Sequence, residues 1–248
     1  MFDAKKTIEK IVNDIRNYFD KYCPGGSAIL GISGGKDSTI TAALLVRALG
    51  ADRVYGVMLP CGTQRDISDS ERVFEALGME KHVLNIKDAF DATIKGLEDM
   101  GLTVSDDAKV NTQPRLRMMD LYAIAPCLPN KGLVINTSNR SEDYVGYCTK
   151  YGDNTGDLGV LAAFMVSEVL AIGDAMPEIP TDLVHKAPSD GLWGDTDEDR
   201  FGFTYADIER YILEGTSGNT DADIKIARMY KTSRHKFEPM YCCGTGTA

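Results

Sequence analysis

The sequence has little of what a membrane protein or a nucleic-acid-binding protein needs. It carries 27 lysine and arginine residues against 37 aspartate and glutamate residues, so its net charge is −10. Nucleic-acid binding depends on a basic surface, and we therefore expect no nucleic-acid partner. The longest apolar run, 158–166, is much shorter than the ~20 residues that span a bilayer. Because the opening stretch MFDAKKTIEK also lacks an apolar signal segment, we expect a cytoplasmic protein with no membrane partner.

The sequence also lacks the C-x-x-C pairs that are typical of zinc sites and redox motifs. Six cysteines are present without a C-x-x-C pair, and the adjacent Cys242 and Cys243 have poor spacing for zinc ligands or for a structural disulfide. We therefore expect reduced thiols, as in a cytosolic protein. A chain of 248 residues, 43% of them hydrophobic, is long enough to bury a core without disulfides.

Strand and helix patterns alternate through the first part of the chain. Apolar residues at helical spacing predict an opening helix over 5–19. Apolar runs predict strands over 27–32, 53–59, 82–86 and 132–136, with helices over 38–49, 68–77 and 88–100 and from near Pro114. Such alternation is typical of βαβ units with a parallel sheet. We predict an α/β fold, an open doubly wound parallel sheet with flanking helices, which binds ligands beyond the carboxyl ends of its strands.

The alternation weakens in the last hundred residues. There the sequence predicts loops, a helix over 161–172, and closing helices over 205–213 and 221–231. The sequence shows no internal repeat and no low-complexity segment. We predict one domain over residues 1–248, with a C-terminal extension from about residue 150.

A glycine-rich loop, GISGGKDS, follows the first predicted strand. It does not match the Walker A motif, because three residues separate Gly31 from Gly35 and an aspartate follows Lys36. Glycines after a strand let backbone N–H groups approach an anion, and the N-terminus of the next helix adds its positive end. Asp37 offers a carboxylate to a magnesium ion that bridges phosphates. Lys36 is either a further cation for the anion or a solvated loop lysine.

This loop resembles the pyrophosphate-binding loop, or PP-loop, of the ATP pyrophosphatase superfamily, whose members cleave ATP between the α and β phosphates. The resemblance implies an ATP-binding set made of Gly31, Ile32, Ser33, Gly34, Gly35, Lys36, Asp37 and Ser38. On its own it leaves several functions open: GMP synthetase, asparagine synthetase, argininosuccinate synthetase, tRNA thiolation enzymes and NAD synthetase.

A second block narrows the choice. The stretch VINTSNRSEDYVGYCTKYGDNTGD, residues 134–157, resembles the second conserved block of ammonia-dependent NAD synthetases. This resemblance implies that Thr137 contacts ATP and that Glu142 is a magnesium ligand together with Asp37. It also implies that Lys150 and Asp157 contact the substrate, deamido-NAD. Two carboxylates suit a metal that neutralises the phosphates during adenylation.

Three further stretches resemble the same family. In NTQPRLRM, Arg117 is implied to meet deamido-NAD, and a guanidinium suits phosphate or carboxylate recognition. In the stretch that begins KAPSDGLWGD, Ser189 is implied to contact ATP, and we interpret the acidic run 195–199 as a solvated loop. In SRHKFEP, His235 and Lys236 are implied to hold the dinucleotide.

The resemblance covers nearly the whole chain and implies an adenine nucleotide alpha hydrolase-like fold in a homodimer. The implied reaction is the ATP-dependent amidation of deamido-NAD with ammonia to NAD, AMP and pyrophosphate, through an acyl adenylate and with Mg²⁺ as cofactor. Asp37, Glu142 and Lys36 are the expected catalytic residues. No residues are left over for a glutaminase domain, so we expect free ammonia as the nitrogen donor.

Two positions depart from the family pattern. Val166 aligns with a family lysine that contacts ATP, and Phe237 replaces an arginine. Either Lys36 supplies the missing positive charge, or the chain is a divergent homologue that amidates another carboxylate or binds nucleotide with weak or no turnover. A tRNA-modifying PP-loop enzyme is another alternative, disfavoured because paired cysteines and a basic face are missing.

Overall fold

The computed structural model describes residues 2–64, 67–186 and 196–244. Within these ranges an all-parallel sheet has the strand order β2-β1-β3-β4. The strands are β1 Ser27–Gly31, β2 Val54–Val57, β3 Gly132–Asn136 and β4 Leu158–Gly159. In register, Ala28 of β1 lies opposite Val54 on one side and Leu133 on the other. The predicted α/β class with a parallel sheet is confirmed.

Helices make up most of the remaining structure. In chain order they are α1 Ala4–Tyr22, α2 Lys36–Leu49, α3 Ile67–Leu77, α4 Lys87–Asp99, α5 Asp106–Ile124, α6 Arg140–Val145, α7 Val166–Asp174, α8 Thr181–Val184, α9 Asp197–Phe201, α10 Tyr205–Glu214 and α11 Thr220–Ser233. Among the described residues, no helix is both long enough and apolar enough to cross a bilayer.

The sheet is covered on both faces. Ala28 and Leu30 of β1 belong to one apolar core, to which α1, α2 and α7 contribute their buried sides. Ile29, between them in the strand, packs instead in a second core with Met118 of α5 and Val134 of β3. A strand buried on both faces reads as a continuous apolar run, which is why β1 was recognisable in the sequence.

Three predicted elements differ from the observed ones. The segment 82–86 is not a regular strand: it forms one parallel bridge, between Met58 and Val83, and its backbone is hydrogen-bonded to Met58 and Pro60 just beyond β2. Helix α5 starts at Asp106 rather than near Pro114, since the Ser105 side chain accepts the Ala108 N–H and caps the helix earlier. The helix predicted over 161–172 begins at residue 166, after a turn.

A third apolar cluster holds the C-terminal helices. Phe201, Tyr205 and Ile208 pack with Val145 at the end of α6 and with Val166 at the start of α7. The C-terminal part of the chain therefore rests directly on the loop and helix that follow β3. This packing brings residues from beyond position 196 next to the carboxyl ends of the strands.

Candidate active site

The glycine-rich loop lies at the carboxyl end of β1. Gly34 has a φ of +76°, and a Cβ there would lie 2.7 Å from the backbone nitrogen of Ser70, so only glycine fits. The Ser33 Oγ accepts the Gly35 N–H at 3.2 Å and lies 3.0 Å from the Ser38 Oγ, which donates to the Gly35 carbonyl at 3.1 Å. These hydrogen bonds fold the loop back over the start of α2.

The N-terminus of α2 faces this loop. Its cap residue is Gly35, which has no side chain that could accept the first N–H groups of the helix. A helix N-terminus with available N–H groups and a positive dipole end favours an anion. The loop and the start of α2 therefore have the geometry that a phosphate cradle needs, and the predicted ATP contacts of the loop stay predictions.

Asn139 joins this loop to the one that follows β3. Its side-chain oxygen accepts the N–H groups of Ser141 and Glu142, each at 3.1 Å, and so caps α6. Its side-chain nitrogen donates to the Asp37 Oδ1 at 3.2 Å. Asn139 is fully buried, and it fixes the two predicted metal-binding carboxylates relative to each other. Thr137, in the same loop, is half-buried.

Lys36 lies between these two carboxylates. Its Nζ is 2.6 Å from the Asp37 Oδ2 and 3.7 Å from the Glu142 Oε1, and its side chain is 5% exposed. Burial opposes the charge of Lys36, but the two carboxylates outweigh burial and raise its pKa. Burial, together with the charge of Asp37, also raises the pKa of Glu142. Lys36 is therefore part of a buried charged cluster, and the alternative of a solvated loop lysine is wrong.

Two residues that the sequence analysis did not assign to the site complete the cluster. The Tyr205 hydroxyl donates to the Asp197 Oδ2 at 3.0 Å and lies 3.4 Å from the Glu142 Oε1. Asp197 is only 7% exposed, so interpreting its acidic run as solvated was wrong at this position, although Asp199 in the same run is exposed. The apolar residues that follow the acidic run are the one signal in the sequence that this segment is partly buried.

The carboxylates of Asp37 and Glu142 fit a magnesium ion. Carboxylate oxygens are the ligands that Mg²⁺ prefers, and it usually takes one or two of them and completes its shell with water and substrate phosphates. In the described parts of the chain, no group of three or more His, Cys, Asp or Glu side chains is gathered in a metal-binding cluster. Two carboxylates would suit an ion that also binds the phosphates of a nucleotide.

A cavity of about 410 Å³ opens beside the charged cluster. Lys36, Val166, Lys186 and Tyr205 are among the residues that line it. Val166 is 7% exposed, and its N–H donates to the Ser141 Oγ at 3.2 Å, so it anchors the start of α7 to α6. Two lysines, Lys36 and Lys186, therefore line the cavity, although Val166 stands where the family pattern has a lysine. The Lys186 ammonium donates to the Asp69 carboxylate at 2.8 Å.

The predicted substrate residue Arg117 lies on α5 near the end of β2. Its Nε donates to the Leu59 carbonyl at 2.9 Å, and its Nη2 donates to the Gln113 Oε1 at 3.4 Å. Burial lowers the pKa of Arg117. A guanidinium anchored on one side keeps donors for a planar anion on the other.

The other predicted substrate residues make contacts within the protein. Lys150 donates to the His235 carbonyl at 2.5 Å, while Lys236 donates to two carbonyls of the loop after α6 at 2.8 and 2.7 Å. The Asp157 Oδ2 accepts the N–H of Val134 at 2.8 Å, which anchors β3. His235 is exposed. Their roles toward a substrate stay predictions, and the predicted ATP contact Ser189 lies outside the described residues.

Comparison with known proteins identifies the family. The model of the family described as NAD synthase matches residues 7–240. The chain belongs to the NAD synthase family. An NH₃-dependent NAD⁺ synthetase from Archaeoglobus fulgidus is 34% identical over 94% of each chain, and one from Finegoldia magna is 35% identical over 84% of each.

Solved structures agree with this membership. The chain superposes on an NMN synthetase from Francisella tularensis with a TM-score of 0.89 and 32% identity, covering 98% of this chain and 100% of that one. An NH₃-dependent NAD synthetase from Campylobacter jejuni, at 24% identity and a TM-score of 0.79, shows the shared fold. As a member of the NAD synthase family, the chain is an ATP-using ligase of NAD biosynthesis, and the tRNA-modifying alternative is set aside.

Proposed function

We propose that this NAD synthase family member amidates the nicotinate carboxylate of deamido-NAD with ammonia, consuming ATP and releasing AMP and pyrophosphate. The observation that supports this most directly is the junction made by Asn139, which places Glu142 beside Asp37 at the start of α2. That junction combines a phosphate cradle with two carboxylates for one metal ion, as phosphoryl-transfer chemistry requires.

In the first step, the nicotinate carboxylate attacks the α-phosphorus, an acyl adenylate forms, and pyrophosphate leaves. The loop and the N-terminus of α2 hold the pyrophosphate, and Asp37 and Glu142 hold the magnesium ion, which neutralises charge on the phosphates when bound. Lys36 adds a cation beside them. Positioning and charge neutralisation account for the catalysis of this step, because no side chain has to form a covalent bond.

In the second step, ammonia attacks the acyl carbon, AMP leaves, and the amide forms with loss of one proton. Arg117 supports the binding of the substrate, since its guanidinium is anchored to the Leu59 carbonyl and keeps donors for the substrate's phosphate or carboxylate. Lys150 and Lys236 bring two further cations to the loop after α6. We propose that both lysines exchange their carbonyl partners for the dinucleotide.

Nicotinate mononucleotide is the second candidate substrate. The superposition on the Francisella tularensis NMN synthetase, at a TM-score of 0.89 over nearly the full length of both chains, favours it. The 34–35% identity to NH₃-dependent NAD⁺ synthetases favours deamido-NAD. Both substrates present the same nicotinate carboxylate, so the proposed chemistry is the same and only the adenylate half of the substrate differs.

The deciding experiment measures kcat/KM with ATP and ammonia and with either deamido-NAD or nicotinate mononucleotide. We expect faster turnover with deamido-NAD, and ammonia should work as nitrogen donor where glutamine does not. Asp37→Ala should abolish pyrophosphate release, whereas Asp91→Ala, on the exposed surface of α4, should not change it. Nucleotide binding without turnover of either substrate would contradict the proposal and support a binding protein.

We also propose that the chain forms a homodimer, as the family resemblance implies. Apolar side chains on the outer side of α5 are compatible with this, because Met119 and Tyr122 are 54% and 37% exposed. Light scattering of the purified protein tests the assembly. A mass near 27.1 kDa at micromolar concentration would contradict it.

A further inference from the structure

The strongest unexplained feature is the position of the Lys36 ammonium, between the two carboxylates that fit a metal ion. We propose that Lys36 is an internal competitor of the metal: its ammonium occupies the space between Asp37 and Glu142 until a divalent ion displaces it. This inference rests on the metal-binding role proposed for these two carboxylates. It goes beyond that role by stating what fills the site beforehand and what must move.

The contacts of Lys36 support the competition. Its Nζ bonds to the Asp37 Oδ2 at 2.6 Å and lies 3.7 Å from the Glu142 Oε1. The remaining Asp37 oxygen, Oδ1, is already engaged by the side chain of Asn139. A magnesium ion lies about 2.0–2.1 Å from its oxygen ligands. On Asp37 it therefore needs the oxygen that the ammonium already contacts, and two cations at one carboxylate repel each other strongly in a buried site.

The charge of the cluster explains why a cation is needed there before the metal arrives. Asp37, Glu142 and Asp197 bring three carboxyl groups into one largely buried region, and Lys36 lies within 4 Å of the first two. Buried like charges without a counter-ion are costly. Lys36 thus stabilises the carboxylates in the positions that a divalent ion requires. Its ammonium also blocks that ion from binding until it is displaced.

The cavity beside the cluster offers Lys36 another position. Lys36 is one of the residues that line this space of about 410 Å³, and its Nζ lies 5.8 Å from the centre of the Tyr205 ring. A displaced ammonium needs a new anionic partner, which nucleotide phosphates supply. Metal and nucleotide should therefore enter together, since each removes an obstacle to the other: the metal frees the ammonium, and the phosphates accept it.

The test measures binding of Mn²⁺, a paramagnetic substitute for Mg²⁺, by electron paramagnetic resonance in the absence of any nucleotide. Lys36→Met should bind Mn²⁺ about tenfold or more tightly than the wild type, because a cation at the metal position is removed. In Lys36→Met/Glu142→Gln the gain should disappear. Lys186→Met is the matched control: it removes a lysine that lines the same cavity but donates to Asp69, and it should change Mn²⁺ affinity less than about threefold.

Two results would overturn the inference. One is a Lys36→Met variant that binds Mn²⁺ no more tightly than the wild type; the other is an equal gain in Lys186→Met, which would indicate a general charge effect. If Lys36→Met folds poorly, Lys36→Gln and the rise in melting temperature with added Mn²⁺ answer the same question: the rise should exceed that of the wild type. Because no substrate is present, a negative result here leaves the proposed amidation standing, and failure of amidation leaves this result interpretable.

Discussion

Asn139→Ala tests the junction on which the site depends. The substitution removes an acceptor for two N–H groups of α6 and a donor to Asp37 in a single step, at a position with no solvent exposure. Losing a helix cap costs about 1 kcal/mol. Losing a hydrogen bond to a charged group costs about 1.5–3 kcal/mol. We therefore expect the free energy of unfolding to fall by about 2.5–4 kcal/mol.

For a chain of this size, this loss corresponds to a melting temperature lower by roughly 5–15 °C. Circular dichroism during thermal and urea unfolding measures it. Pyrophosphate release should fall as well, because Asp37 and Glu142 lose the side chain that connects them. At saturating ATP and magnesium the decrease should persist in kcat, since the geometry of the pair is changed and not only its affinity.

Asn139→Ser separates the two contributions. A serine hydroxyl can still cap α6 but is too short to reach Asp37, so this variant should retain about 1 kcal/mol of the stability that Asn139→Ala loses. Its activity should nevertheless be impaired. Two results would refute the reasoning: an Asn139→Ala variant within about 0.5 kcal/mol of the wild type, or equal stability of the two variants.

Two further predictions concern the loop and a surface ion pair. Gly34→Ala should destabilise the protein more than Gly78→Ala by about 1–3 kcal/mol in urea unfolding: both glycines have positive φ, but a new Cβ meets the Ser70 nitrogen at 2.7 Å only at Gly34 and nothing within 4 Å at Gly78. Equal losses would contradict the packing argument. At Glu178, burial opposes ionisation, but hydrogen bonds from Arg47 at 2.5 and 2.8 Å outweigh it and lower the pKa. Because the pKa is lowered in the folded protein, the ion pair stabilises the fold above the ordinary carboxyl pKa, and this stabilisation is lost as the pH falls through the lowered value. Glu178→Gln should therefore lower the free energy of unfolding by about 0.5–1 kcal/mol at neutral pH and by progressively less below about pH 4. A pH-independent difference in thermal unfolding would refute this.

The fold was predictable where the spacing of apolar residues along the chain matched the faces that are buried in the structure. Strand β1 has an apolar centre, 28–30, because it is buried on both faces, and α1 shows a regular apolar stripe because only one of its sides is buried. The prediction failed where local signals were weak. Pro114 suggested a helix start, yet the Ser105 cap began the helix earlier, and Val83 lay in a strand-like run that the structure leaves mostly exposed.

The site was predictable to the extent that its residues lie in contiguous blocks. The loop containing Lys36 and Asp37 and the block containing Glu142 each carry their own motif, and both follow strands whose carboxyl ends are neighbours. Tyr205 and Asp197 were missed because their place in the site depends on how the C-terminal helices pack against α6 and α7. No spacing along the chain encodes that contact.

The sequence by itself determined the class of fold, and it marked the glycine-rich loop and the two carboxylates proposed to hold a metal ion, because these depend on residue type and on neighbours along the chain. Only the tertiary structure decided the state of Lys36. A lysine beside an aspartate in a loop is usually solvated, and nothing in the sequence shows that Glu142 and Tyr205 close over it. Burial and opposite charge at short range are properties of the assembled fold, and they make this lysine the counter-ion of the site.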